Sequence, residues 1–103
     1  MKLLDWVDIN KINWDGLSRN PNAIHILEKN LHKVHWSYWS YWRNLSRNPN
    51  AICILEKNLD KIDWSELSGN PNAISILEQN LDKIDWEVLS SNPSIFEEDY
   101  ACK

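Results

Sequence analysis

Apolar and polar positions recur along most of the chain with a period of 22 residues. Counted from its tryptophan, the period reads WDGLSRNPNAIHILEKNLHKVH from Trp14, WRNLSRNPNAICILEKNLDKID from Trp42 and WSELSGNPNAISILEQNLDKID from Trp64. A shortened copy, WEVLSSNPSIFEEDYACK, begins at Trp86. A fixed period in this size range is typical of proteins built from stacked repeats. The pattern predicts an all-α fold, specifically a small α-solenoid of about four helix-turn-helix repeats of 22 residues.

Each period carries the signals for two short helices. In the third copy, Asn70 and Pro71 are expected at the N-cap and at the first position of one helix, because asparagine accepts from unpaired backbone N–H groups and proline lacks one. Apolar residues then recur at helical spacing on one face. The next helix is expected to begin within LDKIDW, residues 59–64, with Asp60 as its N-cap and Asp63 in the capping-box position.

Helices of this length are not stable alone in water. Neighbouring copies must therefore bury each other's apolar faces, which is how a solenoid is stabilised. Asparagine recurs at three positions of the repeat, and we expect each set to form a ladder of side chains along the stack. The three sets are Asn20, Asn48, Asn70 and Asn92; Asn22, Asn50 and Asn72; and Asn30, Asn58 and Asn80.

One interruption breaks the period. The stretch WSYWSY, residues 36–41, separates the first copy from the second and consists of the triplet WSY written twice. We interpret residues 1–103 as a single helical-repeat domain. It comprises an N-terminal cap at 1–13, repeats at 14–35, 42–63 and 64–85, the aromatic insert at 36–41 and a C-terminal cap repeat at 86–103.

The insert contains the strongest candidate for a binding site. If a helix runs through it, Trp36, Trp39 and Trp42 are each displaced by about 60° around the axis, so they cannot all occupy one core position. Exposed tryptophan and tyrosine are typical of protein-binding hot spots. The alternative is that the rings fold back over the stack. The candidate patch comprises Trp36, Tyr38, Trp39, Tyr41, Trp42 and Arg43.

The string LSxNPNAIxILEKNLDKIDW, together with the ending NPSIFEEDY, resembles a family of short tryptophan-containing helical repeats common in proteins encoded by giant DNA viruses. The resemblance covers nearly the whole chain and is in register from Trp14 to Glu28 in the first copy. It implies a helical-repeat fold and a viral origin, with the host cytoplasm as location, and it implies no reaction. The sequence differs from the family pattern in the insert and at His32 and His35, where later copies have aspartate.

Composition narrows the range of partners. Eleven lysine and arginine residues against 15 aspartate and glutamate residues give a net charge of -4 at pH 7, which argues against binding to nucleic acid. The sequence contains no apolar run long enough for a membrane span. Cys53 and Cys102 lie far apart without a CxxC motif, which favours a reducing compartment, the cytoplasm. We expect a monomer or weak homodimer that binds an unknown protein partner.

Catalytic chemistry is not indicated. With only Gly16 and Gly69, the chain has no glycine-rich phosphate loop, and no nucleophile is visibly paired with a base, so we predict neither an enzyme nor a cofactor. A less favoured alternative is a metal site across adjacent copies, formed by His25, His32, His35 and Cys53.

The preferred hypothesis is a non-enzymatic protein-interaction module or scaffold, and the other alternative is a structural repeat protein without a specific ligand. Besides the aromatic insert, the module would present the positions that vary between copies. These are Asp15, Gly16, Arg43, Asn44, Ser65, Glu66, Glu87 and Val88.

Overall fold

The computed structural model describes residues 2–30 and 39–97 of the chain. Within these ranges the protein is all-α and has no β-strand, which confirms the predicted fold class. The α-helices of the described residues are α1 (Trp14–Ser18), α2 (Ile24–Lys29), α3 (Trp39–Arg47), α4 (Ile52–Glu56), α5 (Trp64–Ser68), α6 (Ile74–Glu78) and α7 (Trp86–Leu89). Single-turn 3-10 helices lie at Ile9–Lys11, Leu59–Lys61, Leu81–Lys83 and Pro93–Ile95.

An aspartate or asparagine side chain caps the start of α1, α5 and α7. Asp63 Oδ1 accepts a hydrogen bond at 3.1 Å from the backbone N–H three residues later, and Asn13 and Asp85 cap their helices in the same way. The helix α5 begins at the last residue of LDKIDW, as predicted. The predicted roles of Asp60 as N-cap and of Asp63 in the capping-box position are wrong, because Asp63 is itself the N-cap. Ile62 is extended, with φ -66° and ψ 135°, so the preceding 3-10 turn ends there and α5 begins afresh after Asp63.

The Asn-Pro step of the third copy forms a turn rather than a helix N-cap. Asn70 is buried, and its Oδ1 accepts from Asn72 N at 3.0 Å. The helix α6 begins later, after Ala73, without a side-chain cap. The predicted N-cap role of Asn70 is therefore wrong, because its side chain is used inside the turn and between copies. In the last copy, Asn92 does cap the 3-10 helix that begins at Pro93.

Buried asparagines link successive copies through backbone oxygens. The Asn70 side-chain amide donates to Ser46 O at 2.9 Å and to Asn48 O at 3.0 Å. Asn48 and Asn92 each make the equivalent pair of hydrogen bonds to the copy before them. These bonds satisfy polar groups that burial would otherwise leave without a partner. The first predicted ladder is confirmed for the side chains of Asn48, Asn70 and Asn92, and Asn20 takes part through its backbone oxygen.

The other two asparagine sets differ from each other. Asn72 Nδ2 donates to Pro49 O at 2.7 Å, and Asn50 makes the equivalent bond one copy earlier, so this second ladder is also confirmed. Asn58 Nδ2 instead donates to Ile54 O at 2.8 Å within its own copy. The remaining members of that set do the same. The third ladder is therefore wrong, because those amides stabilise the end of a helix and do not reach the next copy.

The helices that contain the tryptophan of each copy, α1, α3, α5 and α7, lie side by side in chain order. The helix α3 contacts α1, α5 contacts α3, and α7 contacts α5. The molecule is correspondingly elongated, with principal extents of 52, 31 and 20 Å. Leucines of these helices and of α2, α4 and α6 form the core between the copies. The most deeply buried are Leu27, Leu45, Leu55, Leu67 and Leu77.

Candidate binding surface

The structure divides the predicted aromatic patch into exposed and buried members. Trp36 and Tyr38 lie outside the described residues. Trp39 is 68% exposed, and Arg43 lies beside it on the surface. The two remaining rings belong to the core, namely Tyr41 at 7% exposure and Trp42 at 6%. Of the described members, Trp39 and Arg43 are the two at the surface.

Helical geometry explains this division. The buried face of α3 carries Tyr41, Trp42 and Leu45. Trp39 and Arg43 are four residues apart, so they are neighbours on another side of the same helix. Trp42 occupies the repeat position of the tryptophan in the third copy, which leaves Trp39 outside the repeat. The described part of the insert therefore supplies one core residue, Tyr41, and one exposed indole.

Charged side chains of α3 and α5 continue the surface beside Trp39. The Arg43 guanidinium lies 5.5 Å from the centroid of the Trp39 ring, in cation–π geometry. Arg43 Nε is 3.5 Å from Glu66 Oε1, and Arg47 Nη1 is 2.7 Å from Glu66 Oε2. We refer to Trp39, Arg43, Arg47 and Glu66 as the Trp39 surface. One carboxylate faces two guanidinium groups, so a positive charge remains beside the indole.

Gly69 provides the space for this arrangement. A Cβ on residue 69 would lie 2.8 Å from Arg47 Cζ, so a larger residue would displace the guanidinium. The φ of Gly69 is -92°, a value open to any residue, so its small size is what matters. Arg19 and Arg47 occupy this repeat position in the two earlier copies. Replacement of arginine by glycine in the third copy is the signal that could have identified Arg47, the member of the Trp39 surface that sequence reasoning missed.

Some of the variable positions expected to face a partner bind side chains of the protein itself instead, either in the neighbouring copy or later in the same copy. Asn44 Nδ2 donates to Asp15 Oδ1 at 3.0 Å. Ser65 Oγ donates to Asp85 Oδ2 at 2.9 Å. The N–H of Val88 and the Ser65 hydroxyl both donate to the Asp85 carboxylate, and they lower its pKa below the ordinary value. These side chains stabilise the contacts along the stack.

The residues of the alternative metal site are divided in a similar way. His25 is half-buried and Cys53 is exposed, whereas His32 and His35 lie outside the described residues. Across 2–30 and 39–97, no group of three or more histidine, cysteine, aspartate or glutamate side chains is placed to hold a metal ion. The metal site stays a hypothesis that involves residues beyond these ranges.

Comparisons of the chain with protein-family models, with curated proteins and with solved structures find no match. In the described part of the chain, every helix is too short or too polar to cross a membrane. A function must therefore be inferred from the Trp39 surface and from the contacts between copies.

Proposed function

We propose that the protein is a non-enzymatic interaction module, built as a small α-solenoid of about four 22-residue repeats, which binds a protein partner through the Trp39 surface. The observation that carries the proposal is the exposure of Trp39, an indole that lies outside the repeat while Trp42 fills the core position beside it. A tryptophan that contributes so little buried area to its own fold is typical of a contact made with another molecule.

The pattern of contacts between copies supports the solenoid. The same pair of amide bonds recurs at Asn48, Asn70 and Asn92, and each tryptophan-position helix contacts the next one along the chain. Contacts that are made mainly between neighbouring copies distinguish a solenoid from a helical bundle. Such a stack is extended and rigid, and it leaves side chains such as Trp39 available on its outer surface.

The chemistry of the Trp39 surface indicates the kind of partner. The indole offers a flat apolar ring, and Arg43 and Arg47 together carry more positive charge than Glu66 neutralises. A carboxylate on the partner can accept hydrogen bonds from a guanidinium group, and an adjacent apolar side chain can pack on the ring. We therefore expect the partner to present a segment in which acidic and apolar residues alternate or adjoin.

Selection of displayed random peptides on the immobilised protein tests this proposal. The selected peptides are expected to be enriched in acidic and apolar residues. They should bind Trp39→Ser at least about tenfold more weakly than the wild type, because the indole supplies most of the contact area. Arg43→Gln should weaken the same peptides by several-fold, since the charge-assisted hydrogen bonds are lost.

Glu28→Gln is the matched control for the peptide experiment. Glu28 is exposed on α2, whereas the Trp39 surface lies on α3 and α5, and its substitution should leave peptide binding unchanged. Peptides that bind the wild type and Trp39→Ser equally well would contradict the role of the Trp39 surface. A selection without any sequence preference would favour the alternative, a structural repeat protein that has no specific ligand.

The NPNAI repeats also support a proposal about origin. Their resemblance to the tryptophan-containing repeats of giant DNA viruses favours a viral protein that acts in the host cytoplasm. Location of the gene in a viral genome, with the tagged protein found in the cytoplasm of infected cells, is the expected result. A gene embedded in a cellular chromosome would contradict the viral origin.

A further inference from the structure

The end of the stack formed by α7 exposes apolar positions that earlier copies bury. Leu67 is fully buried, whereas Leu89, one repeat later, is only half-buried. Trp42 is buried, whereas Trp86 in the same repeat position is largely exposed. An open groove of about 480 Å³ lies at this end, lined mainly by Leu81, Ile84, Trp86, Leu89, Ile95 and Phe96. Among the described residues, no helix covers this groove in the way that α5 covers α3.

Oxygen atoms at the same end continue the ladder by one step. Ser68 O and Asn70 O accept the side-chain amide of Asn92 at 3.0 Å each. The oxygens in the next equivalent positions belong to Ser90 and Asn92, and within the described ranges no side-chain amide donates to them. Ser68 Oγ likewise accepts from Asp85 N at 3.0 Å, and Ser90 Oγ is the next hydroxyl in that series. The α7 end therefore presents the hydrogen-bond acceptors that a further copy would need.

The opposite end of the stack carries the matching donors. Asn20 has the repeat position of Asn48, but its side chain is exposed. Its Oδ1 accepts from Asn22 N at 3.0 Å, and its amide nitrogen has no acceptor in the described part of the chain. The amide of Asn22 is in the same situation, although its counterparts in later copies donate to a proline oxygen. Asn13 N corresponds to Asp63 N, which donates to a serine hydroxyl.

Local structure at the two ends is complementary as well. The 3-10 helix Ile9–Lys11 followed by the Asn13 cap has the form of Leu81–Lys83 followed by Asp85, which is the second half of a repeat. The helix α7 followed by the turn at Pro93–Ile95 has the form of the first half. When one end is placed on the other, they supply the first helix, the turn and the closing 3-10 helix of one repeat, and among the described residues only the counterpart of α6 is missing.

We propose that a second copy of this chain docks on the α7 groove of the first with the end that carries Asn13, Asn20 and Asn22. The copies then stack in the geometry that successive repeats adopt within one chain. The Asn20 amide of the second copy donates to Ser90 O and Asn92 O, and α1 lies beside α7 as α3 lies beside α1. This placement covers the apolar groove of the first copy and provides acceptors for the Asn20 and Asn22 amides of the second.

This contact is heterologous, because two different surfaces meet and the α7 groove of the second copy stays open. Assembly therefore continues by addition of further copies, and the product is a short linear stack rather than a closed dimer. The inference rests on the proposed solenoid, and it is independent of the Trp39 surface, which lies on α3 and α5.

Sedimentation over a range of concentrations tests the contact. The weight-average mass of the wild type should rise with concentration above the 12.2 kDa of one chain. Asn20→Asp keeps the Oδ1 acceptor of its own turn but removes both amide donors, and Phe96→Glu places a charge in the groove on a largely exposed side chain. Each variant should associate at least about tenfold more weakly than the wild type. Lys57→Gln makes the same change in net charge at an exposed residue of the repeat 42–63, away from both ends, and should behave like the wild type.

An equimolar mixture of the two variants decides the geometry. Asn20→Asp retains a functional groove, and Phe96→Glu retains the functional donor end, so the mixture should form a 1:1 complex that grows no further. A two-fold pairing of α7 grooves predicts instead that Asn20→Asp associates normally, and this result would overturn the proposal. Because both residues are exposed, circular dichroism of each variant should match that of the wild type.

Two further results would overturn the proposal. A wild type that stays at 12.2 kDa across the series would exclude the contact at those concentrations. A monomeric wild type with a higher melting temperature than Phe96→Glu would mean that another part of the same chain covers the groove. Peptide binding by the Trp39 surface is measured separately, so failure of this contact is distinguishable from failure of the proposed function.

Discussion

The side-chain amide of Asn70 donates to the backbone oxygen of Asn48 at 3.0 Å, and both residues are buried. The same side chain accepts from Asn72 N through its Oδ1, so it fixes its own turn and the turn of the preceding copy together. Asn92 has the same relationship to Asn70. The turns of successive copies are therefore hydrogen-bonded in series, and a change at one position acts on two copies.

Asn70→Asp tests how strongly the ladder stabilises the fold. The substitution preserves side-chain volume and the Oδ1 acceptor, but it removes both donors and directs a carboxylate toward Ser46 O and Asn48 O. Asn72 N still donates to one carboxylate oxygen, but the other oxygen is buried against two acceptors, which is strongly unfavourable. We expect the free energy of unfolding, measured by urea titration, to fall by roughly 3 kcal/mol or more.

Asn20→Asp is the matched control for this prediction. It makes the same chemical change at the same repeat position, but on an exposed side chain whose amide has no acceptor among the described residues. At a concentration low enough to keep the chain monomeric, its free energy of unfolding should differ from that of the wild type by about 0.5 kcal/mol or less. Equal losses in both variants would contradict a stabilising role for the ladder.

Trp42 and Trp86 share one repeat position and differ in burial, at 6% and 61% exposure. The Lys61 ammonium also lies 5.9 Å from the centroid of the Trp42 ring. Trp42→Ala should lower the free energy of unfolding by about 3 to 5 kcal/mol, as is typical of a large aromatic removed from a core. Trp86→Ala should have a clearly smaller effect in a dilute sample. Similar losses would mean that Trp86 is covered by further contacts in solution.

Gly69→Ala and Gly16→Ala should change stability in opposite directions. A methyl group at residue 69 would lie 2.8 Å from Arg47 Cζ, so the guanidinium would have to shift, and its ion pair with Glu66 would weaken at a loss of up to about 1 kcal/mol for an exposed pair. At residue 16, within α1, the nearest atom is Asn13 Oδ1 at 4.0 Å, and alanine should stabilise the helix by about 0.5 to 1 kcal/mol. Melting temperatures of the two variants measure both effects, and a fall in both would contradict the argument from space.

Periodicity predicted the contacts between copies better than cap rules predicted the helix starts. Residues at one repeat position have equivalent neighbours in a stack, so a buried ladder at Asn48, Asn70 and Asn92 follows from the period. The N-cap roles expected of Asn70 and Asp60 were wrong for a physical reason. Cap rules consider only residues close in sequence, whereas Asn70 is bonded to another copy. Asp60 lies inside a 3-10 turn that ends at the extended Ile62, so it does not precede α5 directly.

The composition of the binding surface was harder to predict. The period gives Trp42 the repeat position of the tryptophan in the third copy, but it does not show whether the rings of the insert pack against the neighbouring helices or face solvent. Burial of Tyr41 follows from the register of α3, which the period alone does not give. Glycine at residue 69, where earlier copies have arginine, hints at Arg47, but the contact of its guanidinium with Glu66 depends on how the two copies pack.

Asp85 should make the stack sensitive to acid. The N–H of Val88 and the hydroxyl of Ser65 donate to its carboxylate, so its pKa in the folded protein lies below the ordinary value of 3.8. A carboxyl group with a depressed pKa stabilises the folded state above its unfolded pKa, and this contribution is lost as the pH falls through the folded pKa. The melting temperature of the wild type should therefore decrease below about pH 4.

Asp85→Asn separates this contribution from that of the other carboxyl groups. Asparagine keeps an oxygen that can cap α7, as Asn13 does for α1, but it does not titrate. Between about pH 6 and about pH 3, the variant should lose less melting temperature than the wild type. Ser65→Ala removes one donor, so the pKa of Asp85 should move toward its ordinary value and the acid-dependent loss should be intermediate. Parallel curves for all three proteins would assign the acid sensitivity to other residues.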